Sequence, residues 1–295
     1  IKKNGESYYL ISEEKRREMV KRSVAAITDI YQNSILKDSS RNSFMIKRME
    51  DLADRTIWAM GEQLKCGDFV PFVFEHKFNM EVGDGDRKQL MSGTIDRVDI
   101  CENGTDVYVR IIDYKTGKKD FNIVKTYYGI DIQLMVYMEA AMKLVAKMRP
   151  GKNVIPAGVF YYNISDPIVS ATTESAEEIE DKIKGELRLK GMVNSDKDIA
   201  EKMDNTEGTS LNIPVSRKAD GGFDSRRSKV MNTEQFNILG RFVDVRAIDT
   251  ADRIVGGDIR RSPYKDGQFS SCDRCPYGAV CGFSVDLPGC NYRKL

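Results

Sequence analysis

The sequence predicts an α/β fold in which a mixed central sheet is flanked by helices. Two amphipathic segments come first, three consecutive strand-like segments joined by short turns follow, and helices then alternate with strands. The chain has 295 residues, of which 41% are hydrophobic and 31% are charged, so it can bury a substantial core.

Two stretches near the start have apolar residues at helical spacing. The first runs from about Ser12 to Asn33 and the second from about Ser43 to Leu64. Apolar stripes of this period are typical of helices that pack one face on a core. We therefore expect both stretches to be scaffold helices.

Strand signals begin after Gly67. Alternating apolar residues predict strands at 69–78, 90–100 and 106–114, with turns at 83–86 and 102–105. Short turns between successive strands predict an antiparallel meander.

The remainder of the chain alternates between predicted helices and strands. We expect a helix over 127–148, a strand over 156–164, a polar helix over 175–189, a hairpin over 211–230 and a helix over 233–255 that Thr233 caps. The tail from Arg260 is rich in glycine, proline and cysteine, and we expect little regular structure there.

The net charge of +1 gives no global basic field, so any DNA-binding surface has to be local. The predicted hairpin carries basic residues that either contact phosphates or form a solvated loop; they are Arg217, Lys218, Arg226 and Arg227.

No apolar run approaches the roughly 18 residues of a membrane helix. With no signal-peptide pattern either, we expect a cytoplasmic protein and suspect a piece of a longer polypeptide.

Two acids and a lysine follow apolar runs of the predicted meander. Asp96 follows Gly93-Thr94-Ile95, and Asp113 ends a run from Val107 to Ile112. Lys115 lies two residues after Asp113, so both side chains point to one face of the strand. Two carboxylates suit Mg²⁺ or Mn²⁺, and a lysine beside them can orient a water or stabilise phosphoryl charge.

Gln133 and Tyr137 lie four residues apart, on one face of the next predicted helix. Polar side chains on an apolar helix either satisfy a buried group or support a nearby site. Each motif alone is common, but their order and spacing together predict metal-dependent hydrolysis of phosphodiesters.

Six cysteines are present, and four of them lie in the last 24 residues. The spacing of Cys272, Cys275 and Cys281 is typical of iron–sulfur or zinc ligands rather than disulfides in a chain without a signal peptide. Cys101 is read as a small buried residue.

The combination of Glu75, Gly93-x-x-Asp96-Arg97, Asp113-Tyr114-Lys115 and Gln133-x-x-x-Tyr137 resembles the RecB branch of the PD-(D/E)XK nucleases. Within that branch the chain is similar to the C-terminal nuclease domains of the AddB family. The segments 127–134 and 156–162 and the closing cysteines carry the resemblance from about Phe69 to Leu295.

The resemblance implies a restriction-endonuclease-like core and metal-dependent DNA cleavage. It implies that Asp96 and Asp113 bind metal, that Lys115 assists the water, that Gln133 and Tyr137 support the site, and that Glu75 is an acidic site residue. It also implies a [4Fe–4S] cluster held by Cys272, Cys275 and Cys281, an AddA-type helicase–nuclease partner, and 5′-to-3′ processing of double-strand breaks for recombinational repair.

Two family features have no match here. The family's metal-site histidine is missing, because His76 follows Glu75 on a strand, and we expect its segment upstream of Ile1. The fourth cluster cysteine is also expected upstream, because Cys66 lies in different surroundings. Cys290 is then the candidate substitute, and we expect this chain alone to hold the cluster weakly or not at all.

We expect one nuclease domain over 1–295, with a helical part over 1–66, a catalytic core over 67–165, helices and the basic hairpin over 166–258, and a cysteine-rich tail over 259–295. Two alternatives stay open from the residues. One is a catalytically inactive, iron–sulfur-stapled module that binds DNA ends, and the other is a zinc-ribbon scaffold.

Overall fold

The structure is a computed structural model, and it describes residues 10–30, 39–82, 88–170 and 175–295. The turn predicted over 83–86 lies outside these residues. Within the part that the structure describes, no helix is both long enough and apolar enough to cross a membrane.

A six-stranded mixed sheet forms the centre, with its strands in sequence order. The first three strands form the predicted antiparallel meander, and β3 and β4 run parallel. β4 and β5 then run antiparallel, and β5 and β6 run parallel. The α/β fold class is thereby confirmed. The strands are β1 (Val70–Val82), β2 (Gln89–Asn103), β3 (Asp106–Lys115), β4 (Asn153–Asn163), β5 (Lys190–Asn194) and β6 (Val230–Met231).

Helices cover both faces of this sheet. The cluster on one face includes α4 and α7, and the cluster on the other face includes α6 and the end of α2. Most predicted helices are confirmed, and α3 and α6 were missed because they are short. The helices are α1 (Glu13–Ile30), α2 (Ser40–Lys65), α3 (Ile123–Tyr127), α4 (Gln133–Met148), α5 (Ala176–Glu186), α6 (Lys197–Met203), α7 (Thr233–Val255) and α8 (Gly278–Cys281).

The single helix predicted over 127–148 is wrong at its start. A turn separates α3 from α4, and Gly129 adopts a φ of 74° there, which is the left-handed region that glycine enters easily. The apolar period continues across this break, so periodicity alone does not reveal it. Gln133 consequently becomes the first residue of α4.

The hairpin predicted over 211–230 is also corrected. Only isolated bridges join Thr209 to Ser216 and Arg217 to Phe223, so the segment is an irregular, hydrogen-bonded loop. Asn232, and not Thr233, caps α7, through a capping box with Gln235.

The tail has more regular structure than its composition predicts. Three short strands, β7 (Tyr264–Asp266), β8 (Phe269–Ser270) and β9 (Arg293–Lys294), form a small sheet. Lys125 of α3 lies 2.9 Å from Asp266, so an ion pair links this sheet to the segment before α4.

A fully buried ion triad joins β2 to β3. Asp99 accepts two hydrogen bonds of 2.7 Å from Arg97 and one of 2.9 Å from Arg110. Burial alone would raise the pKa of Asp99, but the charges and hydrogen bonds of the two arginines outweigh it and lower the pKa. Asp99 and Arg110 are also direct partners in the β2–β3 ladder, so the triad fixes this register.

We expect Asp99→Asn to destabilise the fold by about 3–5 kcal/mol, because it leaves two guanidinium groups buried without a counter-charge. Urea unfolding measures the change. Glu102→Gln on the same strand is the control, since that carboxylate pairs with Arg149 at the surface and contributes at most about 1 kcal/mol. Equal losses in the two variants would contradict this reading of the triad.

Candidate active site

Asp96 lies in the middle of β2, and Asp113 lies near the end of β3, its neighbour in the sheet. The ladder pairs Arg97 with Ile112, and one further step along it places Asp96 opposite Asp113. The carboxylate of Asp96 accepts a 2.7 Å hydrogen bond from the backbone N–H of Tyr114, which fixes it against β3. The two acids therefore lie on neighbouring strands at one position of the sheet.

Asp113 is 2% exposed and pairs with Lys115, whose Nζ lies 2.6 Å from Oδ2. Lys115 is thus the charged partner of this buried oxygen, and its contact with Asp113 is a partly buried ion pair. A carboxylate has several lone pairs, so an incoming divalent cation would share this group with Lys115.

Several charges act on Asp113. Burial raises its pKa, and the nearby charge of Asp96 raises it further. Lys115 counteracts the rise in the pKa of Asp113, and the more distant Lys119 also lowers it, but the sum remains upward. A divalent cation between the two acids would favour their ionised forms.

Lys115 connects Asp113 to α4. Its Nζ donates a 3.0 Å hydrogen bond to Oε1 of Gln133, and Nε2 of Gln133 donates a 2.9 Å bond to the hydroxyl of Tyr137. The structure thus brings together four of the predicted site residues, with Asp113 joined to Lys115 by an ion pair and Lys115 joined to Gln133 and Tyr137 by hydrogen bonds. These contacts hold the ammonium group of Lys115 beside the carboxylate.

Glu75 lies on β1 at an irregular point of the ladder. Phe74 pairs with Arg97 and His76 pairs with Ile95, so Glu75 is placed opposite Asp96, outside the regular pairing. Its φ of 47° is in the left-handed region, which costs a non-glycine residue of order 1 kcal/mol or more. Strain of this kind is concentrated at functional positions, which is consistent with the predicted role of this acid.

Three residues that the sequence reasoning missed extend the site along β4 and the α3–α4 turn. The hydroxyl of Tyr161, the ladder partner of Asp113, donates a 2.8 Å hydrogen bond to Asp131. Burial raises the pKa of Tyr161, so its hydroxyl stays protonated as a donor. The other carboxylate oxygen of Asp131 lies 3.1 Å from Nζ of Lys119.

A cleft of about 330 Å³ opens beside these side chains. Polar groups from Lys119, Asp131 and Gln133 line it together with apolar side chains. Phe78 and Tyr137 meet edge to face at its rim, with ring centroids 5.8 Å apart. Gly93 allows this contact, because a Cβ at that position would lie 3.0 Å from the ring of Phe78.

The donor set fits a divalent cation of the magnesium type. Mg²⁺ is usually held by one or two carboxylates, completed by water and substrate oxygens, and two paired carboxylates are present. Across the ranges that the structure describes, no group of three or more His, Cys, Asp or Glu side chains converges as metal ligands would. Asp96 and Asp113 would therefore hold the cation together with the substrate.

Comparisons with known proteins agree with this geometry. A sequence model described as the PD-(D/E)XK nuclease superfamily matches residues 6–282. The chain belongs to this superfamily. The prediction of a restriction-endonuclease-like α/β core is thus confirmed.

Similar superfamily members are bacterial proteins that are named as one subunit, AddB, of an ATP-dependent helicase/deoxyribonuclease. The chain is 36% identical over 88% of its length to the protein of Clostridium botulinum strain Hall, and 36% over 92% to that of Caldanaerobacter subterraneus subsp. tengcongensis. It is 34% identical over 98% of its length to that of Lachnoclostridium phytofermentans. The match spans about a quarter of each relative, 24–25%.

The cysteines that resemble a cluster site lie in the tail, with Cys281 at the end of α8 and the other two before that helix. Cys272 and Cys281 are half-buried, Cys275 is exposed, and all three are free thiols. Since no three potential ligands converge anywhere in the described ranges, the thiols as placed do not fit a cluster. The [4Fe–4S] cluster stays a prediction and enters no step below. Cys101 is buried on β2, as predicted.

The four basic residues predicted to bind DNA divide into two groups. The guanidinium of Arg217 donates to the backbone carbonyls of Ala200, Asp204 and Thr206, so this residue fastens the loop internally and its prediction is corrected. Arg227 pairs with Asp224 at 2.9 Å. Lys218 and Arg226 are exposed, and their contact with DNA stays a prediction.

We expect Gly93→Ala to lower stability by about 1–3 kcal/mol, because the new methyl group displaces the rings of Phe78 and Tyr137. Thermal unfolding measures the loss. Gly240→Ala in the middle of α7 is the matched control, since its Cβ meets open space. The control should gain up to about 1 kcal/mol from better helix propensity. A Gly93→Ala protein as stable as the parent would refute the packing argument.

Proposed function

We propose that this chain is the nuclease domain of a bacterial helicase–nuclease and hydrolyses phosphodiesters of DNA with Mg²⁺ or Mn²⁺. The observation that carries the proposal is the meeting of Asp96, in the middle of β2, with Asp113 and Lys115 near the end of β3. Superfamily membership supports the reaction class.

In the proposed reaction, Asp96 and Asp113 would hold the divalent cation. When bound, such a cation would supply Lewis-acid polarisation of the phosphodiester and an activated water. Asp113 would share its carboxylate between this cation and Lys115.

Lys115 contributes the positive charge of this chain nearest to the attacked phosphate. Gln133 and Asp113 both engage its ammonium group, which leaves one of three N–H donors for a water or a phosphoryl oxygen. Tyr137 fixes the amide of Gln133 and is therefore a positioning residue. Glu75, between the β1 residues that pair with Arg97 and Ile95, is proposed as an acidic residue at the edge of the site and not as a third ligand, since no three ligands converge in the described ranges.

The biological setting is proposed from the relatives, whose names describe part of a helicase/deoxyribonuclease. We propose that an AddA-type helicase–nuclease partner unwinds DNA ends and passes one strand to this domain in the cytoplasm. The domain then degrades that strand from 5′ to 3′ during repair of double-strand breaks by recombination. Residues 1–295 act as one nuclease domain in this proposal.

We expect Asp113→Asn to lose at least about a hundredfold in the rate of cleavage of linear DNA with Mg²⁺, because the metal-binding charge is removed. Release of acid-soluble nucleotides measures the rate. Asp106→Asn at the other end of β3 is the matched control and should cleave like the parent.

Equal activity of Asp113→Asn and the parent would assign the catalysis elsewhere. DNA-end binding by a parent protein that cleaves nothing with either metal would favour the inactive binding module instead. Strands labelled at the 5′ or the 3′ end then test the direction of digestion.

We expect removal of divalent cations by EDTA to stop cleavage, and addition of Mg²⁺ or Mn²⁺ to restore it, because Lys115 alone does not replace the Lewis acid. The same labelled DNA reports the activity. Circular dichroism before and after chelation checks that the fold persists. Cleavage that continues undiminished in EDTA would contradict the assignment of Asp96 and Asp113 as metal ligands.

A further inference from the structure

Lys119 is a second lysine beside the candidate active site, and the motifs of the sequence do not include it. It lines the cleft of about 330 Å³ together with Gln133 and Tyr137. Its electrostatic influence on Asp113, described above, shows that it lies within range of the metal-binding acids. The feature to explain is why a lysine is held at this point.

The backbone of Lys119 is fixed on both sides by one side chain. Asn163, at the end of β4, accepts a 3.0 Å hydrogen bond from the N–H of Lys119 and donates a 3.0 Å hydrogen bond to its carbonyl. Asn163 is also the ladder partner of Lys115. The two lysines are therefore tied to neighbouring points at the same end of β3 and β4.

The side chain of Lys119 is also held by specific contacts. Its Nζ lies 3.1 Å from Asp131 and 4.9 Å from the centre of the Tyr161 ring. Asp131 is in turn held by the hydroxyl of Tyr161. A lysine side chain loses up to about 2 kcal/mol of rotamer entropy when it is held in one conformation. Because Lys119 is already held in the folded protein, this entropy is not lost again when a ligand binds.

The ammonium group of Lys119 retains binding capacity. It has three N–H donors, of which Asp131 engages one, and its side chain is 38% exposed. The cleft that it lines is also lined by apolar residues such as Phe78, Met91 and Val136. A cationic group together with apolar side chains in one cleft matches a nucleotide, which has an anionic phosphate and a flat base.

We propose that Lys119 binds the phosphate next to the one that is cleaved, and that the cleft holds the corresponding nucleotide of a single DNA strand. This inference rests on the proposed function, because it takes DNA as the substrate. Lys119 acts as a binding residue that sets the register of the strand relative to Lys115. The contact is ionic and needs no base reading, so it suits cleavage without sequence preference.

We expect Lys119→Ala to weaken binding of a short oligothymidylate about tenfold, since a charge-assisted hydrogen bond to phosphate is lost. Binding is measured by fluorescence anisotropy in EDTA, where no cleavage occurs. The slope of log affinity against log salt should fall by about 0.7, the value for one contact to a single strand. Lys119→Arg should keep most of the slope, because it retains the charge.

Lys118→Ala is the matched control, because this exposed neighbour of Lys119 does not line the cleft. It should leave both affinity and salt slope near the parent values. Oligonucleotides with single neutral methylphosphonate linkages locate the contact: one linkage should weaken binding by the parent and leave binding by Lys119→Ala unchanged. Thermal unfolding separates loss of contact from loss of fold.

An unchanged salt slope in a folded Lys119→Ala protein overturns the inference, and so does an equal effect of Lys118→Ala. Either result leaves the proposed function intact if Asp113→Asn is still inactive. Conversely, loss of binding in Lys119→Ala alongside full cleavage by Asp113→Asn would retain the phosphate contact and reject the catalytic assignment.

Discussion

The register between β2 and β3 is the constraint on which the candidate site depends. Asp99 and Arg110 are direct partners in this ladder and form a buried ion pair, to which Arg97 adds two further hydrogen bonds. A shift of one residue would turn Arg110 to the opposite face and leave its guanidinium buried without Asp99. The same register sets Asp96 opposite Asp113, so the interaction that pins the strands also aligns the two acids.

The site itself holds groups that the fold leaves poorly satisfied. Asp113 is a buried carboxylate whose pKa is raised by burial, and Glu75 adopts a strained backbone conformation. Such costs of order 1–3 kcal/mol each persist only when surrounding packing determines the local structure. The buried triad includes Arg97, the residue next to Asp96. It therefore holds this part of β2 in place.

Much of this arrangement follows from the sequence, for identifiable reasons. The meander is readable because strand period and turn residues are local signals, and the spacing of Asp113 and Lys115 fixes their common face. Arg217 was assigned to DNA because charge is visible in a sequence, whereas its backbone acceptors come from residues 11 to 17 positions away. Lys119 and Tyr161 were missed for the same reason, since their partners lie on β4 and in the α3–α4 turn. The periodicity of 127–148 likewise concealed the turn that ends at Gln133.

The turn between α3 and α4 explains how Lys115 and Lys119 can each contact a side chain from the same short segment. Asp131 pairs with Lys119 and Gln133 accepts from Lys115. In one continuous helix, residues two positions apart point about 200° away from each other, so Asp131 and Gln133 could not face the same strand ends. The break at Gly129 removes this limit, because Asp131 then belongs to the turn and Gln133 to the first position of α4. The helix break is therefore part of the site. It directs the carboxylate of Asp131 to the ammonium group of Lys119 and the amide of Gln133 to that of Lys115.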